Sequence, residues 1–267
     1  MGAERVEAQN VRERKELLVL IPVRNEERNI GAVLEQAMGI RDLADIVVIN
    51  DASEDASAQV IRKWPVHMLT NVERMGYGVS LQIGYRYALE HGYRYVIQLD
   101  GDGQHDVCNI PPVYRRLREA GEDGAPPDLV LASRFMEGST DFPVIFLKWA
   151  AFRWFRLLIR LITKRRIADP TTGLQGLSRR AFAYYGETGH FDDKYPDANM
   201  VIQMLLLGFR VTEIPAVMHA RKEGQGMHRG LQTFWYMCRM FFEIPAVVWR
   251  VRLEKKRRRG GEEDEVS

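Results

Sequence analysis

Cysteine is almost absent from this chain of 267 residues, which contains only Cys108 and Cys238. The two cysteines have no Cys-x-x-Cys spacing, which excludes a disulfide or zinc framework and is typical of a reducing compartment. No uncharged apolar run approaches the ~18–20 residues that span a bilayer, and residues 1–16 lack the apolar core of a secretory signal. We therefore expect a cytoplasmic protein, peripheral on a membrane if it binds one.

Acidic residues are scarce in two stretches of the second half, although the formal net charge of the chain is only +2. Residues 142–166 contain seven basic residues and no acidic one, and residues 221–259 contain eleven basic and three acidic residues. Basic surface of this kind favours a polyanion or an anionic membrane as partner. We find no nucleic-acid-binding motif and expect no nucleic-acid partner.

Apolar runs alternate with segments of helical periodicity through the first half of the chain. This alternation predicts an α/β fold with a mostly parallel, Rossmann-like sheet and helices on both faces. The predicted strands are residues 17–22, 45–50, 66–70, 95–100 and 128–133, and the predicted helices are residues 29–38, 55–63, 77–90 and 109–120.

Two aspartates one residue apart, Asp100 and Asp102, come at the end of the fourth predicted strand. Residues i and i+2 of a strand point to the same side, so the two carboxylates can converge, and they repel each other unless a cation lies between them. Oxygen ligands of this kind suit Mg²⁺ or Mn²⁺. A polar turn after a strand is the alternative. Charged or amide groups also follow the first, second and fifth predicted strands, at the edge of a parallel sheet where ligands bind, and this favours the metal site.

Three segments together resemble the family 2 glycosyltransferases with the GT-A fold. They are residues 20–27, residues 48–55 and Asp100-Gly101-Asp102, in the order and spacing of that family over residues 17–134. Within the family, the chain is most similar to the polyprenol-phosphate type, that of dolichyl-phosphate mannose synthase. That similarity depends on Gln104-His105, on residues 132–135 and on residues 169–174.

The resemblance implies a nucleotide-diphosphate sugar as donor and Mg²⁺ or Mn²⁺ as cofactor. It assigns the metal and the diphosphate to Asp100, Asp102 and Gln104. The nucleoside pocket is assigned to Pro22, Asn25, Glu26, Asp51 and Gly76, and the loop that closes on the diphosphate contains Arg221. Tyr77 departs from the pattern, because a lysine is common there. Gly226-Met227-His228 also differs from the sequence found in the mannose synthases. This difference concerns which sugar and which base the donor carries, more than the type of reaction.

The basic residues in the second half of the chain indicate where the acceptor is bound. Arg153, Arg156, Arg160 and Lys164 are spaced to form one basic stripe on a helix, with Trp149, Phe152, Phe155, Leu158 and Ile162 on the other side. Such a helix is typical of a membrane interface, the alternative being a helix packed on the sheet with its basic face in solvent. Residues 234–251 are similar and precede five consecutive basic residues. We expect an anionic membrane surface, or a membrane partner subunit, as partner.

The acceptor decides which catalytic groups are needed. A lipid phosphate has a second pKa of about 6, so it can attack without a general base and needs a cation. Arg134 is the candidate for that cation, with Arg153 second. A sugar hydroxyl needs a base, for which Asp197 is the first candidate and Asp169 the second. Asp197 has an alternative role as the N-cap of the following helix.

The sequence thus predicts four segments: a disordered tail (1–16), a GT-A catalytic domain (17–220), a closing loop with amphipathic helices (221–254) and a charged tail (255–267). The expected function is inverting transfer of a hexose from a nucleotide-diphosphate sugar to polyprenyl phosphate, with Asp102 and Arg134 in catalysis. Transfer to a saccharide, with Asp197 as base, is one alternative. A non-catalytic relative that binds nucleotide sugars is the other.

Overall fold

A computed structural model describes residues 15–121, 124–140, 146–193, 196–219, 239 and 242–256, and for residues 146–152 it describes the backbone alone. Residues 1–14 of the predicted tail 1–16, Arg221 with the rest of its loop, and residues 257–267 lie outside this part. Within it, the strands are β1 (Leu17–Val23), β2 (Ala44–Asn50), β3 (His67–Thr70), β4 (Tyr95–Gln98), β5 (Leu129–Ser133), β6 (Gln175–Ser178) and β7 (Val211–Pro215).

Helices cover the sheet formed by these strands. They are α1 (Ile30–Met38), α2 (Ser57–Ile61), α3 (Tyr77–Glu90), α4 (Ile110–Arg118), α5 (Phe146–Thr163), α6 (Arg179–Gly186), α7 (Ala198–Leu206) and α8 (residues 242–256). A single 3-10 turn, Val107–Asn109, leads into α4. None of the described helices is long and apolar enough to cross a bilayer.

The sheet has the order β3-β2-β1-β4-β6-β5-β7. Strands β1 to β4 are parallel, β6 is antiparallel to both β4 and β5, and β7 is parallel to β5. The mostly parallel α/β fold predicted from the sequence is confirmed. Because β6 runs the other way, the residues that precede it reach the same edge of the sheet as the residues that follow β4.

Both faces of the sheet are buried, which explains the continuous apolar run of β1. Leu18 and Leu20 belong to a core with α3, α6 and α7, whereas Val19 and Ile21 face a core with α1 and α4. Helix α3 packs very closely on β1, since a Cβ at Gly84 would lie 2.2 Å from a methyl group of Leu20. This packing holds the start of α3 beside the ends of β1 and β2.

The basic stripe predicted for helix α5 is wrong at one residue. Arg156 does not belong to an outward basic stripe, because its Nε donates a 2.6 Å hydrogen bond to the carbonyl oxygen of Ala168 and its guanidinium lies over the Phe135 ring. Phe155, which the sequence placed on the apolar side expected at a membrane, is buried in the core together with Ile159, whereas Trp154, Leu157 and Leu161 are exposed. The helix therefore has apolar residues on both an inner and an outer face. The side chains of Trp149 and Phe152 lie outside the described part.

Candidate active site

A cavity of about 410 Å³ opens at the carboxyl ends of β1, β2 and β4. Each of these strands ends in a loop whose polar side chains point into it, as the parallel arrangement requires. Seven residues that the sequence assigned to the donor site line this cavity: Pro22, Asn25, Glu26, Asp51, Gly76, Asp100 and Asp102. Gln104 is not among its lining residues.

Asp51 connects β2 to the turn before α3. Its Oδ1 accepts hydrogen bonds from Asn71 Nδ2 (2.9 Å) and from the backbone N–H of Met75 (2.7 Å), and its Oδ2 accepts one from the backbone N–H of Gly76 (3.0 Å). Gly76 has φ +98°, a conformation that favours glycine. The carboxylate therefore shapes one wall of the cavity as well as lining it.

The loops after β1 and β2 are joined to each other by side chains. Arg24 donates to the carbonyl oxygens of Asp51 (2.7 Å) and Ala52 (2.9 Å). The side-chain oxygen of Asn25 accepts from the backbone N–H of Glu54 at 2.9 Å. Asn25 and Ala52 both have positive φ, +53° and +49°. These bonds hold two strained residues in place and make this wall of the cavity rigid.

Asp100 and Asp102 form the acidic end of the cavity. Burial first, and then the charge of Asp102, raise the pKa of Asp100 to about 7. Tyr77 stands where a lysine is common, and its hydroxyl donates a 2.8 Å hydrogen bond to Asp100 Oδ1. Asp102 Oδ1 accepts from the backbone N–H of Gln104 at 3.0 Å. The repulsion between the two carboxylates is the kind that a bound cation relieves.

Arg134 lies in a buried ion pair next to this end of the cavity. Its Nε and Nη2 donate to the two oxygens of Asp169 at 2.7 and 2.6 Å, and Nη2 also donates to Thr171 Oγ1 at 2.8 Å. Glu213 holds Asp169 in turn, by accepting its backbone N–H at 2.8 Å. Asp169 is fully buried. Both of its oxygens are bound to Arg134, so it is not placed to serve as the general base.

Asp197 stands at the N-cap position of α7, but its side chain makes no capping hydrogen bond. The capping role considered for it is therefore not the one in the structure. Its charge contributes to raising the pKa values of Tyr77, Asp100 and Arg134. Asp197 thus lies in the same charged cluster as the carboxylate pair and Arg134.

The segment before Arg221 pairs with the segment after Asp102. The backbone N–H of His219 donates to the carbonyl oxygen of Gln104 at 2.8 Å, and its Nε2 lies 2.7 Å from Asp106 Oδ2. His105 is buried here, and burial, followed by the charge of Arg134, lowers its pKa to about 3. His105 is therefore neutral near pH 7. Arg221 itself lies outside the described residues, two positions after His219.

Comparison with known proteins identifies the family. The model of Glycosyl transferase family 2 matches residues 18–186, more than half of the chain. The chain belongs to this family. The polyprenol monophosphomannose synthase of Mycolicibacterium smegmatis is 24% identical over 229 residues, which are 80% of this chain and 81% of that protein. The dolichyl-phosphate hexose transferase of Haloferax volcanii is 25% identical over 200 residues, 75% of this chain and 81% of that one.

Solved structures support the GT-A fold of this family 2 glycosyltransferase. Glucosyl-3-phosphoglycerate synthase from Mycobacterium tuberculosis, in complex with Mn²⁺, uridine diphosphate and phosphoglyceric acid, superimposes with a TM-score of 0.65. The match covers 89% of this chain and 78% of that chain at 17% identity, which establishes the fold alone. The resemblance seen in the sequence is confirmed at the level of family and fold.

Sequence reasoning missed several residues of the glycosyltransferase site. Gly173 touches Asp100, because a Cβ built on it would lie 1.9 Å from Asp100 Oδ2. Arg156 shares the Phe135 ring with Arg134, their guanidinium carbons lying 4.5 and 5.5 Å from its centre. No sequence pattern around Glu213 indicates a role in the site, which it joins by accepting the backbone N–H groups of residues 168 and 169. Gly173 lies in the stretch 169–174, which contributes to the family resemblance but gives no local indication of a contact with Asp100.

Proposed function

We propose that this family 2 glycosyltransferase moves a hexose, with inversion, from a nucleotide-diphosphate sugar to polyprenyl phosphate at a membrane surface. The observation that carries the proposal is the position of Arg134. Its guanidinium belongs to a side chain that is only 14% exposed, is fixed by Asp169 and Thr171, and lies close enough to Asp100 for each to change the pKa of the other. A cation beside the carboxylate pair of a donor cavity suits a phosphate acceptor.

The chemistry of the carboxylate pair fits Mg²⁺ or Mn²⁺. Within the described residues, no group of three or more His, Cys, Asp or Glu side chains is placed to hold a metal. Two carboxylates, with the remaining positions left to substrate phosphates and water, form the kind of site that Mg²⁺ occupies. Asp100 and Asp102 would hold the ion, with Gln104 as a further candidate. When bound, it would neutralise the charge that develops on the leaving diphosphate.

The acceptor would need positioning more than activation. A lipid phosphate is largely dianionic near pH 7, since its second pKa is about 6, so its oxygen can displace the nucleoside diphosphate in line without a base. Arg134 would orient it. Arg153 is exposed on α5 and remains the second candidate from the sequence. Arg156 adds a half-buried guanidinium that makes no ion pair with a described residue and lies over the same aromatic ring as Arg134.

The outer side of the molecule supports a membrane location. Trp154, Leu157 and Leu161 of α5, together with Phe242, Trp249 and Leu253 of α8, are exposed and form what we name the interfacial patch. Trp154 and Trp249 face a groove of about 330 Å³ between the two helices. Exposed Arg252, Lys255 and Lys256 follow on α8. Aromatic and basic side chains on such helices favour an anionic bilayer surface, here that of the cytoplasmic face.

A saccharide acceptor is the second candidate function, and the placement of Asp197 favours it. This carboxylate does not cap α7, and its charge acts on Asp100 and Arg134. It could therefore remove the proton from an attacking hydroxyl. Asp197→Asn separates the two functions: transfer to a phosphate should be nearly unchanged, whereas transfer to a hydroxyl should fall by about 10²–10⁴-fold.

The test is product formation by the purified full chain with Mg²⁺ or Mn²⁺, polyprenyl phosphate and radiolabelled nucleotide sugars. We expect label to be extracted with the lipid, to depend on metal and to be lost in Asp102→Ala. Release of free sugar without lipid product would point to a saccharide acceptor. Donor binding without transfer or hydrolysis would instead indicate a non-catalytic relative.

A further inference from the structure

Asn199, in the first turn of α7, is a fully buried amide that does not line the candidate donor cavity. Its Oδ1 accepts hydrogen bonds from the backbone N–H groups of Asp197 and Met200, both at 2.9 Å. Its Nδ2 donates to Asp192 Oδ2 at 3.0 Å and to Glu243 Oε2 at 3.4 Å. Both donor positions and both acceptor positions of the amide are therefore used, and they join α7 to two other parts of the chain.

The bonds on the oxygen side determine how Asp197 is held. An N-cap side chain usually accepts the N–H of the second or third helical residue. In α7 the third residue is Met200, and its N–H donates to the side chain of Asn199 rather than to that of Asp197. Asn199 also holds the Asp197 backbone, which is neither helical nor extended (φ −116°, ψ −129°). The Asp197 carboxylate therefore acts in the charged cluster with Asp100 and Arg134 instead of in a cap.

The bond to Asp192 holds the loop on which the start of α3 rests. The backbone N–H of Gly78 donates to the carbonyl oxygen of Asp193 at 3.1 Å, and a Cβ at Gly78 would lie 1.9 Å from the carbonyl oxygen of Asp192. Tyr77, the neighbour of Gly78, lines the cavity and donates to Asp100. Because the two backbones are in such close contact, a movement of this loop also moves the start of α3.

We propose that Asn199 is a positioning residue of the transferase site, an inference that rests on the proposed function. Asp100 follows a strand and is placed by the sheet. Asp197 and the start of α3 lie outside the sheet, so their positions depend on bonds between loops and helices. The Asn199 amide supplies such bonds to both, on its two sides. The alternative is that Asn199 only fastens α7 to α8 through Glu243.

The test compares Asn199→Asp with Gln203→Glu. Gln203, one turn further along α7, is likewise fully buried and accepts from Arg250 of α8 at 2.7 Å. Both changes put a carboxylate in place of a buried amide, but only the first sets it against Asp192. We would measure binding of UDP and GDP to the full chain with Mn²⁺ by titration calorimetry, and thermal melts of the same samples. For the nucleotide that binds the wild type, we expect Asn199→Asp to bind at least about tenfold more weakly and Gln203→Glu to stay within about threefold.

Exchange of the two partners adds a result that a general loss of stability would not produce. In the double variant Asn199→Asp with Asp192→Asn, an amide on the loop again donates to an oxygen on α7, so nucleotide binding should recover to within about threefold of wild type. Unchanged binding in Asn199→Asp, an equal loss in Gln203→Glu, or no recovery in the double variant would each overturn the role of Asn199 and leave the proposed function intact.

A further variant covers the case in which Asn199→Asp does not fold. Asp192→Ala removes the other partner of the same hydrogen bond, and it should weaken nucleotide binding in the same direction, with unchanged binding again overturning the role. If neither UDP nor GDP binds the wild type with Mn²⁺, the proposed function fails, and the inference fails with it.

Discussion

Replacing Gly173 by alanine should weaken metal and donor binding about 100-fold while the fold survives. The new Cβ would lie 1.9 Å from Asp100 Oδ2, and real Cβ contacts are not found below 3.0 Å. The carboxylate must therefore move by about 1 Å, and a misplacement of ~1 Å can cost about 10²-fold at a catalytic site. That loss corresponds to about 2.7 kcal/mol. The movement also breaks the hydrogen bond from Tyr77 to Asp100.

The fold should tolerate this change because the clash is with the tip of a side chain rather than with backbone. We would measure Mn²⁺ and nucleoside-diphosphate binding by titration calorimetry, together with urea unfolding of the same samples. Gly31→Ala is the matched control, since its Cβ would have an ordinary 3.4 Å contact with Val60. If a folded Gly173→Ala variant bound Mn²⁺ and the nucleoside diphosphate with affinities within threefold of wild type, the position of the Asp100 carboxylate would not matter for binding, and the reasoning would be refuted.

Three other variants test the charged and exposed groups. Asp169→Asn should destabilise the protein to urea by about 3–5 kcal/mol, because it leaves Arg134 buried without its counter-charge; a loss under 1 kcal/mol would contradict this. Trp154→Ala combined with Trp249→Ala should weaken co-sedimentation with phosphatidylserine vesicles at least about tenfold, and unchanged binding would remove the interfacial patch as the membrane contact. Burial raises the pKa of Glu243 from 4.5 to about 7, so its stabilisation, complete below pH 4.5, is lost as the pH rises through 7. The melting temperature should therefore fall less over this range in Glu243→Gln than in wild type, and equal falls would contradict the shift.

Local patterns were sufficient for the elements that are long and continuous. Helix α3 has the predicted bounds, Tyr77–Glu90, because its periodicity begins at a glycine turn and ends before another glycine. Strand β6 was not predicted. It has only four residues, and its Gly176 is required by packing, since a Cβ there would lie 2.4 Å from a methyl group of Val113 on α4. Such a strand forms through its neighbours rather than through its own apolar pattern.

The residues of the site also fall into those that local sequence patterns could predict and those that they could not. Asp51 and Asp100 could be placed from sequence, because each follows a buried strand and parallel strands end at one edge. The network around Arg134 could not, because it joins β5, the loop at Asp169 and Glu213 on β7, which no spacing relates. Arg156 was misplaced for a similar reason: helical periodicity put it outside, but the carbonyl oxygen of Ala168, twelve residues further on, draws it inward.

The reversed direction of β6 has a consequence for the order of folding. Gln98 Nε2 donates to the carbonyl oxygen of Gly173, across 75 residues of chain, so the acidic end of the cavity is completed only when the two halves of the chain have met. Closing a loop of that length is slow compared with forming the local β1 to β4 units. During refolding, recovery of donor binding should therefore lag behind recovery of helix and strand signals, and recovery of both at the same rate would contradict this order of folding.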